Sequence, residues 1–121
     1  MPTRVLIVDD HPSFRQLAIR LLAGAGFEVV GEAADAAGAL RETKRLRPDV
    51  VLLDVMLPDR SGLAVARELT DAQAQDVPAI VLISSRSRSD FGDAFEWPPG
   101  CSFLPKHELT AARLSDALGG R

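Results

Sequence analysis

The chain carries a single cysteine, Cys101, so no disulfide can form within it. Basic excess is also lacking: fourteen Lys and Arg stand against seventeen Asp and Glu, for a formal charge of −3. That balance excludes the strongly basic footprint of a nucleic-acid binder. Long apolar runs are missing as well. The first, Val5-Leu6-Ile7-Val8, is broken after four residues by Asp9-Asp10. It is too short for a signal peptide or a membrane span, and a cytoplasmic location is expected. Repeats, linkers and low-complexity tracts are absent. With 121 residues, 46% hydrophobic and 26% charged, the chain is expected to form one globular domain over 1–121.

What is present is an alternation of short apolar runs with amphipathic stretches, the pattern of a βα series. Val5 to Val8, Val50 to Leu53 and Ile80 to Ile83 are continuous and largely β-branched, as strands covered on both faces must be. Glu28 to Glu32 reads as an edge strand, polar on one side, and Ser102-Phe103-Leu104 as a short fifth strand ended by Pro105. Phe14, Leu17, Ala18, Leu21, Leu22 and Ala25 predict a first helix with a full apolar stripe, entered at Pro12 and left at Gly26. Asp35 is expected to cap a second helix through Ala39, Leu40, Thr43 and Leu46 that stops before Pro48. Ser61 is expected to cap a third through Leu63, Ala66 and Leu69, and Ala111, Leu114, Ala117 and Leu118 mark the last. Between Ser87 and Trp97, Phe91 and Phe95 lie four apart around Gly92, and Pro98-Pro99-Gly100 follows, so a short or irregular fourth helix is expected.

Strand and helix repeated in this way imply a doubly wound parallel sheet with right-handed crossovers. In such sheets ligands gather at the carboxyl ends of the strands. Asp9-Asp10, Asp54 and Ser84-Ser85 stand at three such ends, with Lys106 just past the fifth strand. Carboxylates within ~5 Å repel by roughly 3 to 4 kcal/mol per pair at an effective dielectric near 20. They stay ionised together only around a cation. Oxygen-only ligation points to Mg²⁺, which is commonly shared between carboxylates and a phosphate, and Lys106 would add a point charge to that phosphate.

VLIVDDHP, VVLLDVMLPDRSGL and FLPK together resemble the receiver domains of two-component response regulators, over essentially the whole chain. Asp54, Pro58 and Gly62 stand at Asp-x-x-x-Pro-x-x-x-Gly spacing. The His11 after the acidic pair, and the lysine without a following proline, look like the subgroup often found ahead of helix-turn-helix output domains. The resemblance implies a flavodoxin-like five-stranded sheet of order 2-1-3-4-5. It also implies that Asp54 accepts a phosphoryl group from a histidine kinase and changes conformation to regulate a partner or output domain. Assisted self-phosphorylation and slow self-dephosphorylation would accompany this, without enzymatic turnover. Mg²⁺ would be bound by Asp10, Asp54 and the main-chain carbonyl of Met56, with Asp9 holding it through water, while Lys106 would contact the phosphoryl oxygens. Dimerisation with a second copy is compatible with the resemblance, and neither a membrane nor nucleic acid is an expected partner of this domain.

Read singly, these residues have plainer roles. Asp9 and Asp10 could cap the first helix, Pro58 and Gly62 are common turn residues, a loop lysine is usually solvated, and His11 reads as a helix-start residue. Phe91, Phe95 and Trp97 read as packing. The pattern also departs from the family. Receivers carry Ser or Thr at the end of the fourth strand; counting from Pro78 places Ile83 there, and a one-residue shift would place Ser84. Phe103 takes the place of the family's aromatic switch residue. A degenerate receiver, acting as an interaction module without phosphorylation, is therefore the competing reading. A haloacid-dehalogenase-type phosphohydrolase fits poorly, because it needs Asp-x-Asp on the first strand and a cap domain.

Overall fold

Each apolar run becomes a buried strand, and each amphipathic stretch a helix laid on one side of the sheet. The computed structural model describes residues 2–71, 77–86, 88–91, 97–98 and 100–119. In chain order they form β1 (Thr3–Val8), α1 (Pro12–Leu22), β2 (Phe27–Ala33), α2 (Ala36–Leu46), β3 (Val50–Asp54), α3 (Gly62–Asp71), β4 (Ala79–Ser84), β5 (Cys101–Pro105) and α4 (Ala111–Ala117). Short 3₁₀ turns cover Arg88–Phe91 and Lys106–Glu108. The five strands form one parallel sheet in the order β2-β1-β3-β4-β5, as expected.

Strand alternation divides the core in two. Val5, Ile7, Leu52, Val81, Ile83 and Leu104 pack with Ala18 and Leu22 of α1 and Leu114 of α4 on one face. Leu6, Val8, Val51, Leu53, Ile80 and Leu82 pack with Ala36 and Ala39 of α2 and Val65 and Ala66 of α3 on the other. The order reverses between β1 and β3, so the carboxyl ends of those two strands border the crevice where such sheets bind ligands.

The caps follow the local chemistry. Asp35 accepts from Gly38 N at 2.7 Å to start α2, Ser61 Oγ accepts from Leu63 N at 3.1 Å before α3, and Thr110 accepts from Arg113 N at 3.0 Å before α4. Helix α1 departs from the expected stripe. It ends at Leu22, three residues before Ala25, and the chain turns through Gly24 and Gly26, both at positive φ. Leu17 and Leu21 stay 43% and 37% exposed. The sheet covers a narrower strip of this helix than its apolar residues span, and only Ala18 and Leu22 are fully buried. Between β4 and β5 the described part of the expected fourth helix is the 3₁₀ turn Arg88–Phe91, while Phe95 lies outside the described residues.

Candidate functional site

At the end of β1 the chain leaves the sheet with its first carboxylate still inside. Asp9 is fully buried, and its main-chain N–H donates to Ala33 O at 3.0 Å, which fixes it beside the end of β2. Arg15, one turn into α1, donates from Nη1 to Asp9 O at 2.6 Å and pairs through Nε with Glu32 at 2.9 Å. Asp10 is the more open of the two, with its side chain about one-third exposed.

Asp54 ends β3, where the strand is buried throughout. Its Oδ1 accepts from Met56 N at 3.0 Å and its Oδ2 from Lys106 Nζ at 3.1 Å. Lys106 Nζ also lies 2.5 Å from Asp9 Oδ2, so one ammonium joins two carboxylates. The buried Asp9 Oδ2 has this ammonium as its ion-pair partner. The Phe14 ring lies beneath the ammonium at 4.9 Å and adds a cation–π contact. Burial raises the Asp54 carboxyl above its ordinary range, against the opposing pull of the Met56 N–H and Lys106. For Lys106 burial works against the charge, but Asp9 and Asp54 outweigh it and hold the ammonium above its usual value.

The loop after Asp54 explains the glycine in the motif. Gly62 N donates to Val55 O at 2.8 Å, and a Cβ at Gly62 would lie 1.9 Å from Asp54 O. Only glycine lets the start of α3 press against the backbone that carries Asp54. Met56, the residue expected to offer its carbonyl, is exposed and forms an isolated bridge with Ser61.

Asp9, Asp10, Asp54 and His11 each offer a ligand atom, all within 4.8 Å of one another. Hard carboxylate oxygens brought together from the ends of two strands fit the needs of Mg²⁺. The model of the response regulator receiver domain family matches residues 5–113, across the site and nearly the whole chain. The chain belongs to this family.

The chain is similar in sequence to parts of longer proteins and in fold to solved structures. The DNA-binding response regulator MtrA of Mycolicibacterium smegmatis is 40% identical over 89 residues, 72% of this chain and 36% of that protein. A protein-glutamate methylesterase/protein-glutamine glutaminase of Xanthomonas oryzae is 42% identical over 113 residues, 93% of this chain and 31% of its own length. This receiver thus spans about a third of the length of these two relatives. The solved structure of a LuxR-family two-component response regulator from an Aurantimonas species matches at TM-score 0.77 and 31% identity, covering 100% of this chain and 89% of that one. A CheY-like receiver domain from Methylobacillus flagellatus shares the fold at TM-score 0.80, with 23% identity and 98% of both chains covered.

The β3–β4 register resolves which residue lies beside Asp54 in this receiver. Pairing runs without interruption from Val50 with Ala79 to Asp54 with Ile83, and Ile83 is fully buried in the α1–α4 face of the core. Ser84 follows on the opposite side by strand alternation, where its Oγ accepts from Arg86 N at 3.1 Å. Phe103 pairs in register with Leu82 and packs in the α2–α3 face, its ring 4.8 Å from Trp97 and 5.9 Å from Phe91.

Two residues of the site region were not legible as such. His11, expected only to start a helix, is the N-cap of α1 without a side-chain cap bond, and its ring contacts both Asp9 and Asp10. Asp59 accepts from Ala36 N at 2.8 Å and Ala37 N at 3.1 Å, so it ties the Asp54 loop to the start of α2. Those backbone bonds, Ala36 first, hold its carboxyl below the ordinary range. Its partners lie 22 and 23 residues away, and no local motif points to them.

Among the described residues, no helix is long and apolar enough to cross a membrane.

Proposed function

We propose that this receiver accepts a phosphoryl group on Asp54 from a sensor histidine kinase and signals by the conformational change that follows. The observation that carries the reading is the placement of Lys106 between Asp9 and Asp54, with the acidic pair beside it. A carboxylate oxygen of Asp54 attacks phosphorus, the bond from phosphorus to the donor's imidazole nitrogen breaks, and that nitrogen leaves with the electron pair. Lys106, already held as a cation, neutralises the phosphoryl oxygens. Asp10, Asp54 and the Met56 carbonyl are the direct ligands for Mg²⁺, with Asp9 acting through water. The ion supplies charge neutralisation for the transfer when bound. The same groups support self-phosphorylation from small phosphodonors and slow hydrolysis, without turnover of a separate substrate. The module covers 1–121, works in the cytoplasm, and answers to a downstream protein, an output domain or a second copy of itself.

A second reading is favoured by one observation. Ile83, with no hydroxyl, is the residue paired with Asp54, which fits a degenerate receiver working as a protein-interaction module without phosphorylation. Acetyl phosphate with Mg²⁺ separates the two. The leading reading expects one added phosphoryl group by intact mass, lost in Asp54→Asn. An unlabelled parent chain would favour the interaction module, and label surviving in Asp54→Asn would place the acceptor elsewhere.

A further inference from the structure

The loop from Asp54 to Gly62 is fastened at its base by bonds within itself. Asp54 Oδ1 accepts from Met56 N, Met56 bridges Ser61, and Gly62 N donates to Val55 O at 2.8 Å. Two further contacts leave its tip. Arg60 pairs with Glu68 of α3, the helix that the loop itself leads into, and both side chains are exposed. Asp59 reaches instead to α2, where its Oδ1 accepts from Ala36 N at 2.8 Å and its Oδ2 from Ala37 N at 3.1 Å. Among the described hydrogen bonds of residues 55–61, this pair alone joins the loop to an element that precedes β3.

Helix α2 already has a local cap, since Asp35 accepts from Gly38 N at 2.7 Å. Asp59 comes from 23 residues beyond Ala36 and takes the two N–H groups before that one. The start of α2 is in turn bound to the acidic pair. Ala33 ends β2, three residues before Ala36, and its carbonyl accepts from Asp9 N at 3.0 Å. A path of short bonds thus runs from Asp9 through Ala33 and Ala36 to Asp59, three residues along the loop from Met56. Leu57 packs against the α2–α3 face of the core, but an apolar contact is non-directional and does not fix where along the sheet edge the loop lies. Two hydrogen bonds to one carboxylate do, because they are directional and strengthened by its charge. Pro58, with its φ locked by the ring, stiffens the link from Asp59 back to Met56.

We infer that Asp59 is a positioning residue for the divalent-ion site, one that sets the loop bearing Asp54 and the Met56 carbonyl at its working distance from Asp9 and Asp10. The inference rests on the receiver reading, from which the ion site comes. Asp59 lies outside the cluster of potential ligands and acts only through the loop. Without its two bonds the loop spends part of its time where the Met56 carbonyl and the acidic pair cannot be engaged together, and affinity falls by the competent fraction. Linkage makes the effect reciprocal. Binding at the site tightens the same tie, so the Ala36 and Ala37 N–H groups report on the ion from outside its ligands.

The test uses the full chain and the variants Asp59→Ala, Asp59→Asn and Asp35→Ala, by calorimetric titration with MgCl₂, thermal melting in EDTA, and amide hydrogen exchange with and without Mg²⁺. Asp35→Ala removes a cap from the same helix but leaves the tie to the loop. Both alanine variants should lower the melting temperature by a few degrees. Asp59→Ala should weaken Mg²⁺ binding about fivefold, less than removing the direct partner of a ligand costs, while Asp35→Ala should leave it within about twofold. Asp59→Asn, which keeps one acceptor oxygen, should fall between Asp59→Ala and the parent. In the parent, Mg²⁺ should slow exchange at Ala36 and Ala37 by up to about the same fivefold factor, a readout that depends on no variant. If Asp59→Ala binds Mg²⁺ as the parent does, if Asp35→Ala loses as much affinity, or if exchange at these amides ignores Mg²⁺, Asp59 is a helix cap only, and the inference is overturned while the ion site stands. If the parent binds no Mg²⁺, the inference and the proposed ion site fall together.

Discussion

Asp54 and Ile83 are register partners on adjacent parallel strands, joined just beyond the pair by Val55 N donating to Ile83 O at 2.9 Å. A branched hydrocarbon therefore stands beside the proposed phosphoacceptor, and the nearest hydroxyl along the strand, that of Ser84, is engaged by Arg86 N. A phosphoryl group on Asp54 moves β4 only by contacts that differ between two conformations.

The first prediction follows from that pairing. A hydrogen bond to a charged phosphoryl group is worth roughly 1.5 to 3 kcal/mol, so its absence reduces a population shift about tenfold or more. Trp97, packed against Phe91 and Phe103, should change its fluorescence little on addition of beryllofluoride with Mg²⁺, and Ile83→Thr should enlarge the change. A strong response in the parent that Ser84→Ala abolishes would make Ser84 the coupling residue.

Asp54→Asn should raise the melting temperature in EDTA at neutral pH. Burial raises the Asp54 carboxyl, so its contribution to stability is full below the unfolded aspartate pKa of about 3.9 and is lost as pH rises through the higher folded value. The variant escapes that loss. The gain should be a few degrees, the size expected for ~1 kcal/mol in a chain of this length. It should be absent near pH 3 and grow to a plateau above the folded pKa. A variant less stable than the parent at pH 7 would show that the Lys106 and Met56 contacts outweigh burial.

Lys106→Met should slow labelling by acetyl phosphate and also destabilise the metal-free chain. Removing the ammonium leaves Asp9 and Asp54 without their shared cation, and breaking a buried pair from one side costs about 3 to 5 kcal/mol. Mg²⁺ should restore much of that stability but not the labelling rate. Urea denaturation with and without the ion measures the first effect, and intact mass against time the second. Equal stability of parent and variant in EDTA would mean that the ion pair contributes nothing to the fold.

Gly62→Ala should cost stability whatever the metal content. Its Cβ would stand 1.9 Å from Asp54 O, against backbone that cannot yield like a flexible side chain. Overpacking of this kind costs about 1 to 3 kcal/mol or more. Because the clash displaces Asp54 itself, Mg²⁺ affinity by calorimetry should fall in parallel. Unchanged affinity would show that the loop relaxes away from the site.

Much of the architecture was legible from short-range pattern. The run Val50 to Leu53 had to be a strand buried on both faces, Asp35 caps a helix through Thr43 that stops before Pro48, and Asp54, Pro58 and Gly62 stand at the spacing of the family they resemble. Periodicity of this kind reports one residue's relation to its near neighbours, so it identifies elements well. It overstates α1, because a stripe shows which side chains are apolar and not how wide a strip the sheet will cover, as Leu17 and Leu21 demonstrate.

By itself the sequence determined the βα series, the acidic pair after β1, the carboxylate after β3 and the lysine after β5, since each depends on local propensity and position along the chain. Tertiary structure decided how they meet. Lys106 reaches Asp54 across 52 residues, Asp59 closes on Ala36 across 23, Ile83 rather than Ser84 takes the place beside Asp54, and His11 turns its ring onto two carboxylates. The physical reason is the same in each case. Strand register and cross-chain hydrogen bonds are set by simultaneous packing of both sheet faces, and a one-residue change in pairing, which no local pattern of alternation can distinguish, exchanges a hydroxyl for a hydrocarbon.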